Sequence, residues 1–308
     1  MTAAPAALHA LLANTIDFAG LFPPASLSLE QALRNQAAYI VSADAWMLGA
    51  FVLPVTQFDA ATPFVSLFDP AHPLRVSALG QKTENAGAFR QQLGENVATI
   101  RKWETAHGAR VRIEQVEMPL PPDADAALLR DAGAAFTGVR VRLFWEAAVA
   151  QSAITLDLLA TQRHRQPGSD AGFKLRTGGT VAESFPTTAQ VAEVLASGAR
   201  QSVPMKFTAG LHHPVRHFNS TLRTKMHGFL NVLSAGVFAR EHSWDVPQTA
   251  TMLADEDREA FRFFDAGLTW RDWRIATDRI LVHRQFVTSF GSCSFDEPRD
   301  DLRAMHLL

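Results

Sequence analysis

Two lysines lie in short, apolar, strand-like runs, and each is followed by small polar residues and glycine. The first run is Gly172-Phe173-Lys174-Leu175-Arg176-Thr177-Gly178-Gly179, and the second is Val203-Pro204-Met205-Lys206-Phe207-Thr208-Ala209-Gly210. An ammonium between apolar flanks loses its hydration, so a lysine in such a strand is costly unless something offsets it. Two of them at matching places in consecutive strand–helix units suggest two amines facing one cavity. A nearby second cation lowers the pKa of the first and frees a neutral amine, which is the nucleophile of Schiff-base chemistry. The plainer alternative is two lysines at strand ends that reach solvent or pair with carboxylates.

Carboxylates stand where they could serve those amines. Asp17 ends the first strand-like run, before the Pro23-Pro24 turn, where it could relay protons, hold a lysine or satisfy loop donors. The fourth run carries Glu114, Gln115 and Glu117; the period of two puts Gln115 and Glu117 on one face and Glu114 on the other. The fifth run ends at Glu146, a further general acid, general base or counter-ion, and Arg176 is either its partner or an anion ligand. The segment Leu211-His212-His213-Pro214-Val215-Arg216-His217 is dense in imidazole. His212 or His213 with His217 and a carboxylate could ligate a transition metal, while His213 and Arg216 could hold an anionic group. The turn Gly291-Ser292-Cys293-Ser294 offers backbone N–H groups and the Ser292 and Ser294 hydroxyls for the anionic end of a substrate. Thr177 joins that substrate-binding set. Cys293 is a nucleophile only if a base lies beside it, and no local base is legible; a small buried cysteine is the simpler reading.

These groups need a frame. Apolar runs at 15–19, 46–53, 74–79, 111–118, 138–145, the two lysine runs and 285–290 alternate with helical patterns, including 28–41 with Ser28 as its cap and 86–107. Eight buried strands with helices between them predict a (β/α)₈ TIM barrel in one domain over 1–308, with an open doubly wound sheet as the alternative. Residues 211–284 exceed what one barrel connection needs. They are expected to form a helical insertion over the C-terminal face, with one helix near Thr221 to Arg240.

Bulk composition narrows the class. The chain has 308 residues, 47% of them hydrophobic, and a formal charge of −2 with acids and bases interspersed. No basic stripe suggests nucleic acid, and no apolar run approaches a membrane span. The N-terminal segment lacks a basic region and reads as a first helix rather than a signal peptide. With one cysteine and therefore no internal disulfide, a cytoplasmic location is the default expectation.

The run Ile16-Asp17-Phe18-Ala19-Gly20-Leu21-Phe22-Pro23 resembles the opening strand of deoxyribose-phosphate aldolases. Phe173 to Gly179 is similar to that family's Schiff-base strand, and Val203 to Gly210 to its second-lysine strand; Val116 to Pro119 and Leu143 to Glu146 have looser counterparts. The resemblance implies a class I aldolase barrel without a cofactor or metal. Lys174 would form the imine, Lys206 would depress its pKa, and Asp17 would belong to the surrounding polar network. The chain departs from the family pattern where Gln115 stands near the expected catalytic aspartate. It departs again at Gly210-Leu211-His212-His213 and at Gly291-Ser292-Cys293-Ser294, so a different, unphosphorylated substrate fits the departures. The expectation is a lyase that acts on a small carbonyl compound, anionic or not, with Lys174, Lys206, Asp17, Glu117 and Glu146 in the catalytic set. The substrate-binding set is Arg176, Thr177, His213, Arg216, Ser292 and Ser294. A metal-dependent hydrolase or lyase on the histidine cluster and a non-catalytic ligand-binding barrel are the alternatives. A homo-oligomer is compatible with all of them.

Overall fold

The computed structural model describes residues 4–165 and 171–308. Seven strands lead the barrel: β1 (Ile16–Phe18), β2 (Leu48–Pro54), β3 (Leu74–Leu79), β4 (Val111–Pro119), β5 (Arg142–Glu146), β6 (Ala171–Arg176) and β7 (Met205–Thr208). The chain then inserts β8 (His217–Asn219), β9 (Thr224–Met226), β10 (Phe261–Phe263), β11 (Gly267–Trp270) and β12 (Trp273–Ala276), and returns with β13 (Val287–Ser292). The helices are α1 (Ala6–Leu12), α2 (Leu29–Ile40), α3 (Phe58–Ala61), α4 (Ala86–His107), α5 (Ala126–Ala135), α6 (Ser152–Arg165), α7 (Thr188–Gln201), α8 (Phe229–His242), α9 (Val246–Ala254), α10 (Thr277–His283) and α11 (Asp296–Ala304).

Eight parallel strands close in the order β1-β13-β7-β6-β5-β4-β3-β2, a (β/α)₈ barrel. Closure rests on β1 pairing with both β2 and β13, with Phe18 opposite Ser292, which removes the edge an open sheet would keep. The helix starts follow the cap residues. Ser28 Oγ accepts from Gln31 N at 3.2 Å, and Asn85 Oδ1 accepts from Ala88 N at 3.0 Å.

Register sets which side chains enter the barrel. On β3 and β4, Val76 pairs with Ile113 but Ser77 pairs with Gln115, so Glu114 is an extra residue on β4. This bulge changes the phase of the alternation. After it, Gln115 and Glu117 point to the barrel axis, while Met118 packs outward, its Sδ accepting from Asn96 of α4 at 3.8 Å.

The insertion differs from the helical expectation. It holds α8, α9 and α10 but also five strands: the hairpin β8–β9 and the antiparallel sheet β10–β11–β12. Thr224–Met226 is a strand, and the helix expected from Thr221 starts only at Phe229. Arg223 takes a left-handed φ of 52° that turns the hairpin, and Pro214 and Gly228 break any earlier helix. The insertion also divides between the two poles. His227 Nε2 meets Pro186 O at 2.7 Å on the C-terminal side. The β10–β12 sheet instead packs on α1 and α10, the helices leading into the first and last barrel strands, and Ala7 N donates to Phe264 O at 3.2 Å. No helix among the described residues is long and apolar enough to cross a membrane.

Candidate active site

Lys174 and Lys206 lie opposite each other in the β6–β7 register, and Glu146 of β5 lies opposite Lys174. Adjacent parallel strands therefore carry the three side chains inward at one level, as the layers of a barrel require. Both lysines are buried, at 3% and 0% exposure.

Lys206 is held on all sides. Its Nζ reaches Asp17 Oδ2 at 2.5 Å, Glu117 Oε1 at 2.6 Å, Gln115 Oε1 at 3.0 Å and Ser77 Oγ at 3.3 Å. Asp17 is fixed in turn, with Oδ1 accepting from Ala50 N at 2.6 Å and Gln115 Nε2 at 3.3 Å from Oδ2. Gly49 allows this approach, since a Cβ there would stand 2.2 Å from Asp17 Oδ1. Ser77 Oγ also donates to Glu117 Oε1 in a short hydrogen bond. An ion burned into the interior at this depth needs such complete pairing, because each lone charge would cost several kcal/mol.

Lys174 is paired differently. Its Nζ contacts Glu117 Oε2 at 2.6 Å and Glu146 Oε2 at 2.8 Å, and Glu146 Oε1 lies 3.7 Å from the Arg176 guanidinium. Glu117 thus bridges the two ammonium groups, one oxygen to each. Burial alone would raise its carboxyl, but the two lysines outweigh burial and hold it down to about 2. Burial works to lower Lys174, yet Glu117 and Glu146 together leave it raised. The expected depression of the Lys174 pKa is therefore corrected: its net shift is upward, because Glu117 and Glu146 outweigh burial.

A cavity of about 270 Å³ opens beside this network at the C-terminal ends of the strands. Lys174, Arg176, His212 and Cys293 are in its wall with Phe22, Val52, Leu79 and Thr208; Lys206 is not, and lies behind. Of the sequence-selected catalytic residues, Lys174, Lys206, Asp17, Glu117 and Glu146 form one connected cluster. Of the substrate-binding set, Arg176 alone lines the cavity.

The others have different partners. Thr177 Oγ1 donates to Ala209 O at 2.6 Å, tying the turn after Lys174 to the turn after Lys206. Gly178 and Gly210 meet there, where a Cβ on Gly178 would stand 2.9 Å from Gly210 Cα. The shared Thr–Gly pattern behind the lysines is thus a clamp between two loops. His213 Nδ1 pairs with Asp301 Oδ2 at 2.6 Å, and Arg216 lies 3.4 Å from His227 Nδ1. Ser292 Oγ and Ser294 Oγ accept from Ser294 N and Glu297 N, at 3.4 and 3.1 Å.

Three residues gain a place that the sequence reading did not give them. Ser77 is a lone hydroxyl in the buried run Val76-Ser77-Ala78, and that break in apolar character was its available signal. His212 faces the cavity in place of His213. Its Nδ1 lies 3.2 Å from Glu297 Oε2 and 3.7 Å from Cys293 Sγ, so Cys293 does have a neighbouring imidazole. Burial works to lower the His212 imidazolium, but hydrogen bonds to Cys293 and Glu297 prevail and raise it to about 9. Among the described residues, no three His, Cys, Asp or Glu side chains converge as a metal site would require. His217 Nδ1 instead faces Val215 O at 3.2 Å, with its ring edge-on to His213.

The cluster offers an amine next to a cavity, two carboxylates in contact with that amine, and an imidazolium and a guanidinium in the same wall. Comparison with known proteins adds no name to this arrangement: no family model matches the chain, and no curated protein matches it.

Proposed function

We propose that this protein is a Schiff-base lyase acting on a small carbonyl compound through an imine at Lys174. The observation that carries this reading is the unequal setting of the two lysines. Lys174 is in the cavity wall with two carboxylates at its Nζ, whereas Lys206 is locked behind it by four partners. The resemblance of the two lysine strands to deoxyribose-phosphate aldolases points the same way.

In this mechanism the Lys174 ammonium passes a proton to Glu146, and the freed amine attacks the substrate carbonyl. The carbinolamine oxygen is protonated and leaves as water, and the nitrogen keeps the positive charge as an iminium. Two of the three ammonium protons depart in the water, so the net charge beside Glu117 and Glu146 is the same before and after. The iminium then accepts the electron pair of a breaking carbon–carbon or carbon–hydrogen bond next to it. Glu146, in contact with Lys174 Nζ, is the group placed to return a proton. His212 and Arg176 favour a substrate bearing an anionic end.

The test is reductive trapping with cyanoborohydride and a panel containing glycolaldehyde, propanal and pyruvate, read by peptide mass spectrometry. The expected product is a reduced adduct at Lys174, absent from Lys174→Met and present in the wild type. No adduct at Lys174 across the panel, or an adduct that survives Lys174→Met, overturns the proposal. One observation favours a non-catalytic ligand-binding barrel instead: both ammonium groups are fully ion-paired. Saturable ligand binding without any trapped adduct would support that alternative.

A further inference from the structure

Cys293 is a nucleophile in the wall of the C-terminal cavity with no part in the Lys174 chemistry. It follows the last residue of β13 and is 8% exposed. Three elements meet at its sulfur. His212, in the loop after β7, places Nδ1 3.7 Å from Sγ, and Glu297, in the first turn of α11, places Oε2 3.2 Å from the same nitrogen. His212 is in the cavity wall as well, whereas Glu297 is not.

The charge of this group is consistent from both sides. The hydrogen bond from His212 holds the Glu297 carboxyl below its usual range, and the His212 imidazolium persists to about 9. At neutral pH the sulfur therefore has a proton-bearing cation within hydrogen-bond distance. Such a cation favours the thiolate form of a cysteine, and the thiolate is the nucleophile. A structural cysteine packs among apolar side chains and has no such neighbour.

The cavity, about 270 Å³, admits a small molecule. A thiolate beside a proton donor suits a small neutral electrophile whose leaving group is poor until it is protonated. Hydroperoxides fit that description. We propose that Cys293 is an oxidation site for small hydroperoxides, with His212 as the acid that serves the leaving oxygen. The thiolate sulfur attacks the terminal peroxide oxygen and the O–O bond breaks. Its electron pair leaves on the other oxygen, which takes the Nδ1 proton and departs as water or an alcohol. Sulfur loses two electrons and the peroxide gains them, leaving a sulfenic acid at Cys293 and a neutral imidazole held by Glu297. The chain has one cysteine, so this sulfenic acid has no internal thiol to condense with, and an external thiol has to restore it. The site is independent of the imine proposed at Lys174, and its test reads mass rather than activity.

The test follows thiol loss under hydrogen peroxide at neutral pH. The remaining thiol is alkylated in denaturant and counted by mass spectrometry, with dimedone present to mark the sulfenic acid. With one cysteine, every adduct of the thiol belongs to Cys293. Folded wild type is expected to react at least about tenfold faster than the same chain unfolded in urea, where the thiol is open to solvent but separated from His212. His212→Gln is expected to erase that advantage. His213→Gln is expected to keep it, because that ring pairs with Asp301 instead. A folded wild type that reacts no faster than the unfolded chain overturns the proposal and leaves Cys293 an ordinary buried thiol, a comparison that needs no variant to fold. A His212→Gln protein that melts cooperatively and still reacts as fast as wild type overturns it too.

Discussion

Replacing Glu146 by glutamine removes one of the two carboxylates that hold the Lys174 proton while keeping the side chain's shape. The lost partner stands 2.8 Å from Nζ. At that distance two unit charges attract by about 6 kcal/mol at an effective dielectric of about 20, and by about 1.5 kcal/mol at the value of about 80 for water. Losing that attraction removes one cause of the raised Lys174 pKa, which therefore falls. The side chains are 4% and 15% exposed, which favours the stronger of the two attractions. Arg176 acts in the same direction, because its charge loses the Glu146 oxygen 3.7 Å away. The assay is the initial rate of cyanoborohydride-trapped adduct formation at Lys174 with glycolaldehyde as a function of pH. In the wild type the rate is expected to climb only on the alkaline side, because the raised pKa keeps the amine protonated. In Glu146→Gln the rising limb is expected at lower pH. A limb that stays in place, or moves to higher pH, would refute the account of how Lys174 is charged.

Other outcomes follow from the same geometry. Lys206→Met should destabilise the fold by about 3–5 kcal/mol in chemical denaturation, because Asp17 and Glu117 keep their charges and lose their shared cation. The His212 imidazolium is raised from 6.5 to about 9, so its contribution to stability is full below pH 6.5 and lost as pH climbs through 9. Glu297→Gln should reduce that loss, which melting temperatures across the window would reveal, and an unchanged profile would count against the His212–Glu297 pair. Glu117, held at about 2, gives stability above pH 4.5 that disappears as pH falls through 2; in Glu117→Gln the acid limb of the denaturation profile should flatten. Gly178→Ala should cost about 1–3 kcal/mol, since its Cβ would stand 2.5 Å from the Phe185 ring and 2.9 Å from Gly210 Cα. Wild-type stability in that variant would mean that the two loops are not clamped.

The barrel was legible because its strands are buried on both faces and read as continuous apolar runs bounded by Gly and Pro. Leu74–Leu79 and Ala86–His107 match the sequence reading residue for residue. The lysines and carboxylates were legible for a related reason: a charge in an apolar run has to meet a counter-charge. What escaped was contact between distant loops. His212 and Cys293 are 81 residues apart, and no local spacing joins them. His213 and His212 are not separable in the sequence, because adjacent residues in an irregular loop have no period to tell them apart. The insertion misled for a third reason. Its short strands are stabilised by pairing with one another, as in Leu268 opposite Ile275, and such pairs are invisible to a helical window.

The docking of the β10–β12 sheet on α1 sets an order of folding. Ala6 N donates to Asp265 Oδ1 at 2.9 Å across 259 positions of sequence, and β1 finds its second neighbour only in β13. During synthesis α1 and β1 therefore wait for segments that emerge far later in the chain. Until Val287–Ser292 arrives, β1 and β7 each present an open edge, and the apolar face of α1 waits for the β10–β12 sheet and α10. Such long-range closure slows folding and leaves a nascent chain prone to aggregation. Expression of this protein should accordingly be more sensitive to C-terminal truncation, and to chaperone supply, than its size alone would suggest.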